Sequence, residues 1–173
     1  HSNQARAIEG YFEDNEITRA DVAPQSELHR DLQRVVGNRE GLGETGESYI
    51  IEKLNDRLYF RSDMTTMGGG DFVFGYDATA IAPEYLQAAV DGESGARVFS
   101  DSSGTLVMVV YEPLEADGMN WVLITKMNLE EAISPDLVGR DQSYFASYIE
   151  SYGYYDLFLI HPDGHVFYTV TRE

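Results

Sequence analysis

Apolar residues in the first forty positions recur at spacings of three and four: Ile8 and Phe12, then Leu28, Leu32, Val35 and Val36. That period gathers them on one face of a helix. Pro24 interrupts the run, and Ser26 is a suitable N-cap for its restart. Residues 1–40 are therefore expected to form an N-terminal helical segment. A loop rich in Gly and charge follows over 38–46.

The pattern then changes to that of strands. Residues 48–54 and 57–62 are β-prone and flank Asn55-Asp56, a hairpin turn. The three consecutive glycines within 65–70 predict a loop, and 72–76 a short strand. Residues 83–90 read as a helix with Pro83 near its first turn and Asp91-Gly92 at its end. Three strands are expected at 96–100, 105–113 and 120–127. A short helix at 128–133, capped by Asn128 and with Glu130 and Glu131 in its first turn, stops at Pro135. Five antiparallel strands with flanking helices make an α+β fold.

A second helix is expected over 141–152, with Tyr144, Phe145, Tyr148, Ile149 and Tyr152 on one face. A second hairpin, 154–160 and 165–171, turns at Pro162-Asp163-Gly164. "SYIIEKLNDRLYFRS" and "DLFLIHPDGHVFYTV" thus repeat one strand–turn–strand pattern, each behind an amphipathic helix. Two tandem modules, the second cut off after its first hairpin, account for the repeat; chance similarity of two hairpins is the alternative. A lone hairpin is marginal in water, so this one needs a partner edge on the first module, on a neighbouring chain or in a longer protein.

Charge narrows the function. Twelve Lys and Arg against thirty Asp and Glu give a formal net charge of −18, which argues against nucleic acid and anionic membrane surfaces as partners. Without cysteine, disulfides, thiolate metal sites and cysteine catalysis are excluded. No apolar run approaches the length of a membrane span, and no signal peptide is visible. The chain reads as an excised fragment.

Three segments resemble Cache-type sensor modules, the extracellular PAS-like domains of bacterial receptors. "GLGETGESYIIEKLNDRLYFRSDM" is similar to the opening hairpin of the membrane-proximal module of double-Cache sensors. "AAVDGESGARVFSDSSGTLVMVVYEPLEADGMNWVLITKMNLEEAISP" resembles the second half of that module. "YFASYIESYGYYDLFLIHPDGHVFYTV" resembles the helix and first hairpin of another module. The order departs from the usual one, because the proximal-like module comes first here. The resemblance implies a long N-terminal helix, a five-stranded antiparallel sheet with flanking helices, and a ligand cavity on one sheet face. It divides the chain into a helical segment at 1–40, a Cache module at 41–135 and the start of a second at 141–173. It also implies a periplasmic or extracellular position in a membrane-anchored chemoreceptor, histidine kinase or cyclase. Binding of a small carboxylate or amino acid-like molecule would then move the flanking helices and the output domain. A homodimer through the N-terminal helix is expected, as is the absence of any cofactor; a ligand-free relay module is the alternative.

A pocket needs a few polar groups in an apolar lining. Alternation puts Tyr59, Arg61 and Asp63 on one strand face and Phe60 and Ser62 on the other. Arg61 suits a bidentate grip on a carboxylate; its alternative is an ion pair with Asp63 or Asp77. Phe72, Phe74 and Tyr76 are expected on one face beside the glycine loop, with Asp77 just beyond; ordinary core packing is their alternative. Phe99, Asp101 and Tyr111 on the later strands would close the pocket. Asp77 or Asp101 would suit a ligand ammonium, and Trp121 belongs to the core. No nucleophile is paired with a base. His29 is expected on a polar helix face, and His161, Asp163 and His165 decorate a turn rather than bind metal. "GETGES" lacks the lysine of a phosphate loop. Hydrolase chemistry is therefore not expected.

Overall fold

The computed structural model describes residues 2–64, 72–101, 104–116, 118–134, 142–160, 164 and 166–171. The glycine loop expected at 65–70 and the decorated turn with His161, Asp163 and His165 lie outside these residues.

The N-terminal pattern produces two helices rather than one long one: α1, Ser2–Asn15, and α2, Glu27–Val36. Glu16 adopts a positive φ of 49° and ends α1. Pro24 keeps the intervening stretch from re-entering the helix, and the Ser26 hydroxyl accepts from the His29 amide at 3.1 Å to start α2. The apolar stripe of the segment expected to dimerise is used internally. Ala5, Ile8, Phe12, Leu28, Leu32 and Val36 pack with Ile50, Leu114, Trp121 and Leu123 of the chain's own sheet.

That sheet comprises β1, Glu47–Leu54, β2, Arg57–Phe60, β3, Gly95–Ser100, β4, Leu106–Leu114, and β5, Asn120–Asn128. The strands are antiparallel in the order β2-β1-β5-β4-β3. Asn55 and Asp56 both have positive φ, 50° and 59°, the type I′ geometry that matches strand twist in a two-residue hairpin. The central strands are apolar on both faces because both are covered. Ile50, Trp121 and Leu123 meet α1 and α2. Tyr49, Ile51, Val122 and Ile124 point the other way, toward α3, Glu84–Val90.

Residues 72–76 do not form the expected strand. Gly75 at φ +88° bends the chain, which then follows the outer edge of β2 through Gly75 N to Phe60 O at 2.8 Å and Phe60 N to Tyr76 O at 3.0 Å. This loop covers an edge that would otherwise be open to pairing. Beyond β5 comes α4, Leu129–Ile133, where the Asn128 side chain makes no capping bond. Instead Glu131 ties the helix to the 44–45 loop, accepting from the Thr45 amide at 2.8 Å.

The C-terminal part is α5, Tyr144–Tyr152, and the hairpin of β6, Phe158–Ile160, and β7, Val166–Thr169. The hairpin forms its own two-stranded sheet. Phe145 meets Tyr168 with ring centroids 5.9 Å apart, and Tyr168 shares a small cleft with Leu106 and Leu129 of the first unit. The helix face predicted as one stripe divides: Tyr144, Tyr148 and Tyr152 are exposed, as are Tyr154, Tyr155, Phe158 and Ile160.

Candidate functional site

A cavity of about 420 Å³ opens on the sheet face turned away from α1 and α2. Its floor is Tyr49 and Ile51 of β1, Phe60 of β2, Val107 of β4, Lys126 of β5 and Phe99 of β3. Ala82, Pro83, Tyr85 and Leu86 at the start of α3 form its roof, and Met64 and Phe72 close one side. Strand alternation explains this set. Tyr49 and Ile51 share parity on β1, and Lys126 continues the row of Val122 and Ile124 on β5.

Polar groups converge in two places. Tyr49 and Tyr85 hydroxyls lie 3.4 Å apart across the gap, and burial pushes both phenols up, so both stay protonated. At the β3–β5 end stand Asp101, Ser100 and Lys126. Asp101 accepts from the Thr105 amide at 3.0 Å. Burial lowers the Lys126 ammonium pKa against the pull of Glu47 and Asp101. Glu47 stands directly across the β1–β5 ladder from Lys126 and is itself buried.

Of the residues singled out from sequence, Phe72, Phe99 and Asp101 line this cavity. Tyr111 lies buried beneath it, stacked on Tyr85 with ring centroids 5.7 Å apart. Tyr76 packs edge-on against Phe60 and Phe72, behind the wall. Asp77 is at the sheet edge, 2.9 Å from Arg57.

Tyr59, Arg61 and Asp63 do share a face, but it is the helix-covered one. Arg61 is buried, sits 5.3 Å from the centroids of both Tyr59 and Phe74, and bonds Glu52 at 2.5 Å. Arg19, from the short helical turn between α1 and α2, reaches the other oxygen of Glu52. Burial lowers the pKa of both guanidiniums, and Arg61 lowers that of Arg19 further. The partner of Arg61 is thus Glu52, neither Asp63 nor Asp77. Phe74 lies beside His29, centroids 4.5 Å apart; it stands inside a turn over residues 73–76, closed by Tyr76 N to Val73 O at 2.9 Å, while Phe72 precedes that turn. His29 itself is largely buried rather than on a polar face: its Nδ1 accepts from the Gln25 amide at 3.0 Å, and its Nε2 lies 3.4 Å from Asp63.

Tyr49, Tyr85 and Lys126 were not singled out from sequence. Lys126 carried a signal: a lysine on the apolar face of "NWVLITKMN" has a specific reason to be there. Among the described residues no cluster of three or more His, Asp and Glu could hold a metal. No described helix is long and apolar enough to cross a membrane.

No family model and no curated protein matches the chain. Solved structures do. The sensory domain of the Campylobacter jejuni chemoreceptor Tlp3 (CcmL) matches over 96% of this chain and 62% of that one, at 11% identity and a TM-score of 0.53. The ligand-binding domain of the same receptor in complex with L-valine matches over 75% and 51%, at 11% identity and 0.46. The ligand-binding domain of the Pseudomonas aeruginosa amino acid chemoreceptor PctC in complex with GABA matches over 95% and 70%, at 16% identity and 0.45. The chain thus spans 62% of the Tlp3 sensory domain that it matches. At 11% identity the first of these matches, with its TM-score of 0.53, establishes the fold, the Cache-type, PAS-like one that the three sequence segments implied.

Proposed function

We propose that this chain is the ligand-sensing part of a bacterial transmembrane signalling receptor and lies outside the cytoplasmic membrane. A small organic molecule, carboxylate or amino acid-like, occupies the cavity between the sheet and α3. The observation that carries this reading is the cavity of about 420 Å³, walled by aromatic and aliphatic side chains with a few polar groups gathered in two places. Its floor is the same sheet whose other face carries α1 and α2. A ligand that draws α3 toward the floor biases the packing of those helices, which carry the change to an output domain. Pairing with a second copy through α1 would use its outer side, since Ile8 and Phe12 are occupied.

A ligand-free relay module would need the cavity filled by Tyr59, Phe74 and Tyr111. Tyr59 and Phe74 lie against Arg61 on the opposite face, which favours binding over relay. We further infer that 141–173 begins a second module. Its hairpin is separate from the main sheet, and its exposed apolar side chains form a surface that further chain would cover.

Thermal-shift screening with organic acids, amino acids and amines tests the sensing reading. Stabilisation by at least one compound is expected in the wild type. It should vanish in Ala82→Phe, which places a ring in the cavity. A screen in which nothing stabilises the wild type defeats the proposal.

A further inference from the structure

We propose that Lys126 is the nucleophile of a covalent capture site, where an aldehyde or ketone with an apolar body becomes an iminium; the inference rests on the cavity being the ligand site. The first observation is placement. The chain has two lysines, Lys53 and Lys126. Lys126 is half-buried and lines the cavity, which the rings of Phe60, Phe72, Tyr85 and Phe99 also border. Lys53 pairs instead with Asp91 at 3.1 Å. An ammonium is a compact, strongly hydrated charge, so an apolar surrounding favours the neutral amine, and the neutral amine is what attacks a carbonyl carbon. Burial does lower the pKa of Lys126, although two carboxylates pull the other way.

The second observation is those carboxylates. Asp101 lines the cavity with Lys126, and Glu47 faces Lys126 across the β1–β5 ladder. Imine formation needs a group that takes a proton from the attacking nitrogen and later gives one to the departing oxygen. Asp101 first accepts a proton from the Lys126 ammonium. The nitrogen lone pair then bonds to the carbonyl carbon, the C=O pair moves to oxygen, and a proton passes from nitrogen to that oxygen. Asp101 returns its proton to the resulting hydroxyl. The C–O bond breaks, water leaves, and the nitrogen lone pair completes C=N. Ammonium and carbonyl thus become iminium and water, with no oxidant or reductant and no change of charge. The iminium keeps the positive charge that Glu47 and Asp101 act on, so a neutral carbonyl compound leaves the polar end in its original electrostatic balance.

Incubation of the full chain with 3-methylbutanal, reduction by cyanoborohydride and peptide mass spectrometry test the inference, since reduction fixes the adduct as a secondary amine. Lys126 should be labelled about tenfold or more faster than Lys53 or the α-amino group, a small part of the gain that holding two reactants together supplies. Ala82→Phe should remove the label from Lys126 and leave that on Lys53 unchanged. Asp101→Asn should slow labelling of Lys126 about tenfold or more, through loss of the proton carrier. In a thermal-shift assay the aldehyde should stabilise the wild type more than 3-methylbutan-1-ol does, and no more than the alcohol in Lys126→Arg, which keeps the charge. Equal labelling of Lys126 and Lys53, or a Lys126 label that survives Ala82→Phe, overturns covalent capture; the cavity then remains the ligand site if any acid, amino acid or alcohol stabilises the wild type. If nothing stabilises it either, both readings fall.

Discussion

Glu52→Gln isolates the interaction that fastens the N-terminal layer to the sheet. Glu52 is 1% exposed and faces two guanidiniums, Arg61 with 9% of its side chain exposed and Arg19 with 40%. Replacing the carboxylate with an amide leaves the Arg61 charge buried and uncompensated. Breaking a buried pair in this way costs about 3–5 kcal/mol, far more than the pair contributes relative to an apolar substitute. For a chain of 173 residues, about 3 kcal/mol corresponds to a melting temperature lowered by roughly 6–12 °C. Arg19→Ala, removing the partner at the surface, should cost about 1 kcal/mol or less. The double variant Glu52→Gln/Arg61→Met should recover much of the loss, because no buried charge is left behind. Urea unfolding of five proteins, the wild type, these three variants and Arg61→Met alone, supplies all the free energies. A cost below about 1 kcal/mol for Glu52→Gln, or a double variant worse than the sum of the singles, would refute the argument that this carboxylate neutralises buried charge.

Ile8→Ala, at a fully buried site against the sheet, should cost about 2–5 kcal/mol, equally at low and high protein concentration; a cost that appears only at high concentration would return Ile8 to a dimer seam. In Gly95→Ala the new Cβ would meet the Tyr111 hydroxyl oxygen at 2.7 Å and Cζ at 2.9 Å. Displacing a buried ring should cost about 1–3 kcal/mol and change the near-ultraviolet circular dichroism, and an unchanged spectrum would contradict the packing. The Asp156 carboxylate, though desolvation pushes its pKa up, is pulled down to about 2 by the Thr169 and Thr171 hydroxyls and the Leu157 and Thr171 amides. A lowered folded pKa gives stability that is complete above the ordinary value near 3.8 and is lost as pH falls toward 2. Protection of the Val170 and Thr171 amides, both bonded to Asp156, measured against the exchange of an unstructured chain at the same pH, should therefore be retained at pH 4 and fall toward pH 2, whereas in Asp156→Asn it should be low throughout.

Local pattern revealed the elements and the parity of their side chains. Ser26 caps α2, Asn55-Asp56 turns the first hairpin, and Tyr59, Arg61 and Asp63 fall on one face, all as alternation and turn chemistry require. Which face would hold the cavity was not legible. That depends on where α1 and α2 dock, a choice made by Ile8, Phe12 and Trp121 across the whole chain. Arg61 therefore went to Glu52, while Phe60, its neighbour, went to the cavity. Phe72 and Phe74 were separated by a local event, the turn closed by Tyr76 N to Val73 O, that alternation cannot anticipate. The α5 stripe misled for another reason: periodicity reports that tyrosines share a side of a helix, not that anything covers them.

The strand order β2-β1-β5-β4-β3 has a kinetic consequence. The β1–β2 hairpin and the β3–β4–β5 meander each join neighbours in sequence, but β1 meets β5 only by closing a long loop, as when Ile51 pairs with Val122. That seam is the slow, non-local step of assembly. The cavity straddles it, with Tyr49 and Phe60 on one bank and Phe99, Val107 and Lys126 on the other. The pocket is therefore absent until the seam closes, and any molecule held there staples the two banks together. Occupancy should show as slower unfolding with an unchanged folding rate, so the lifetime of the closed sheet becomes a direct readout of ligand.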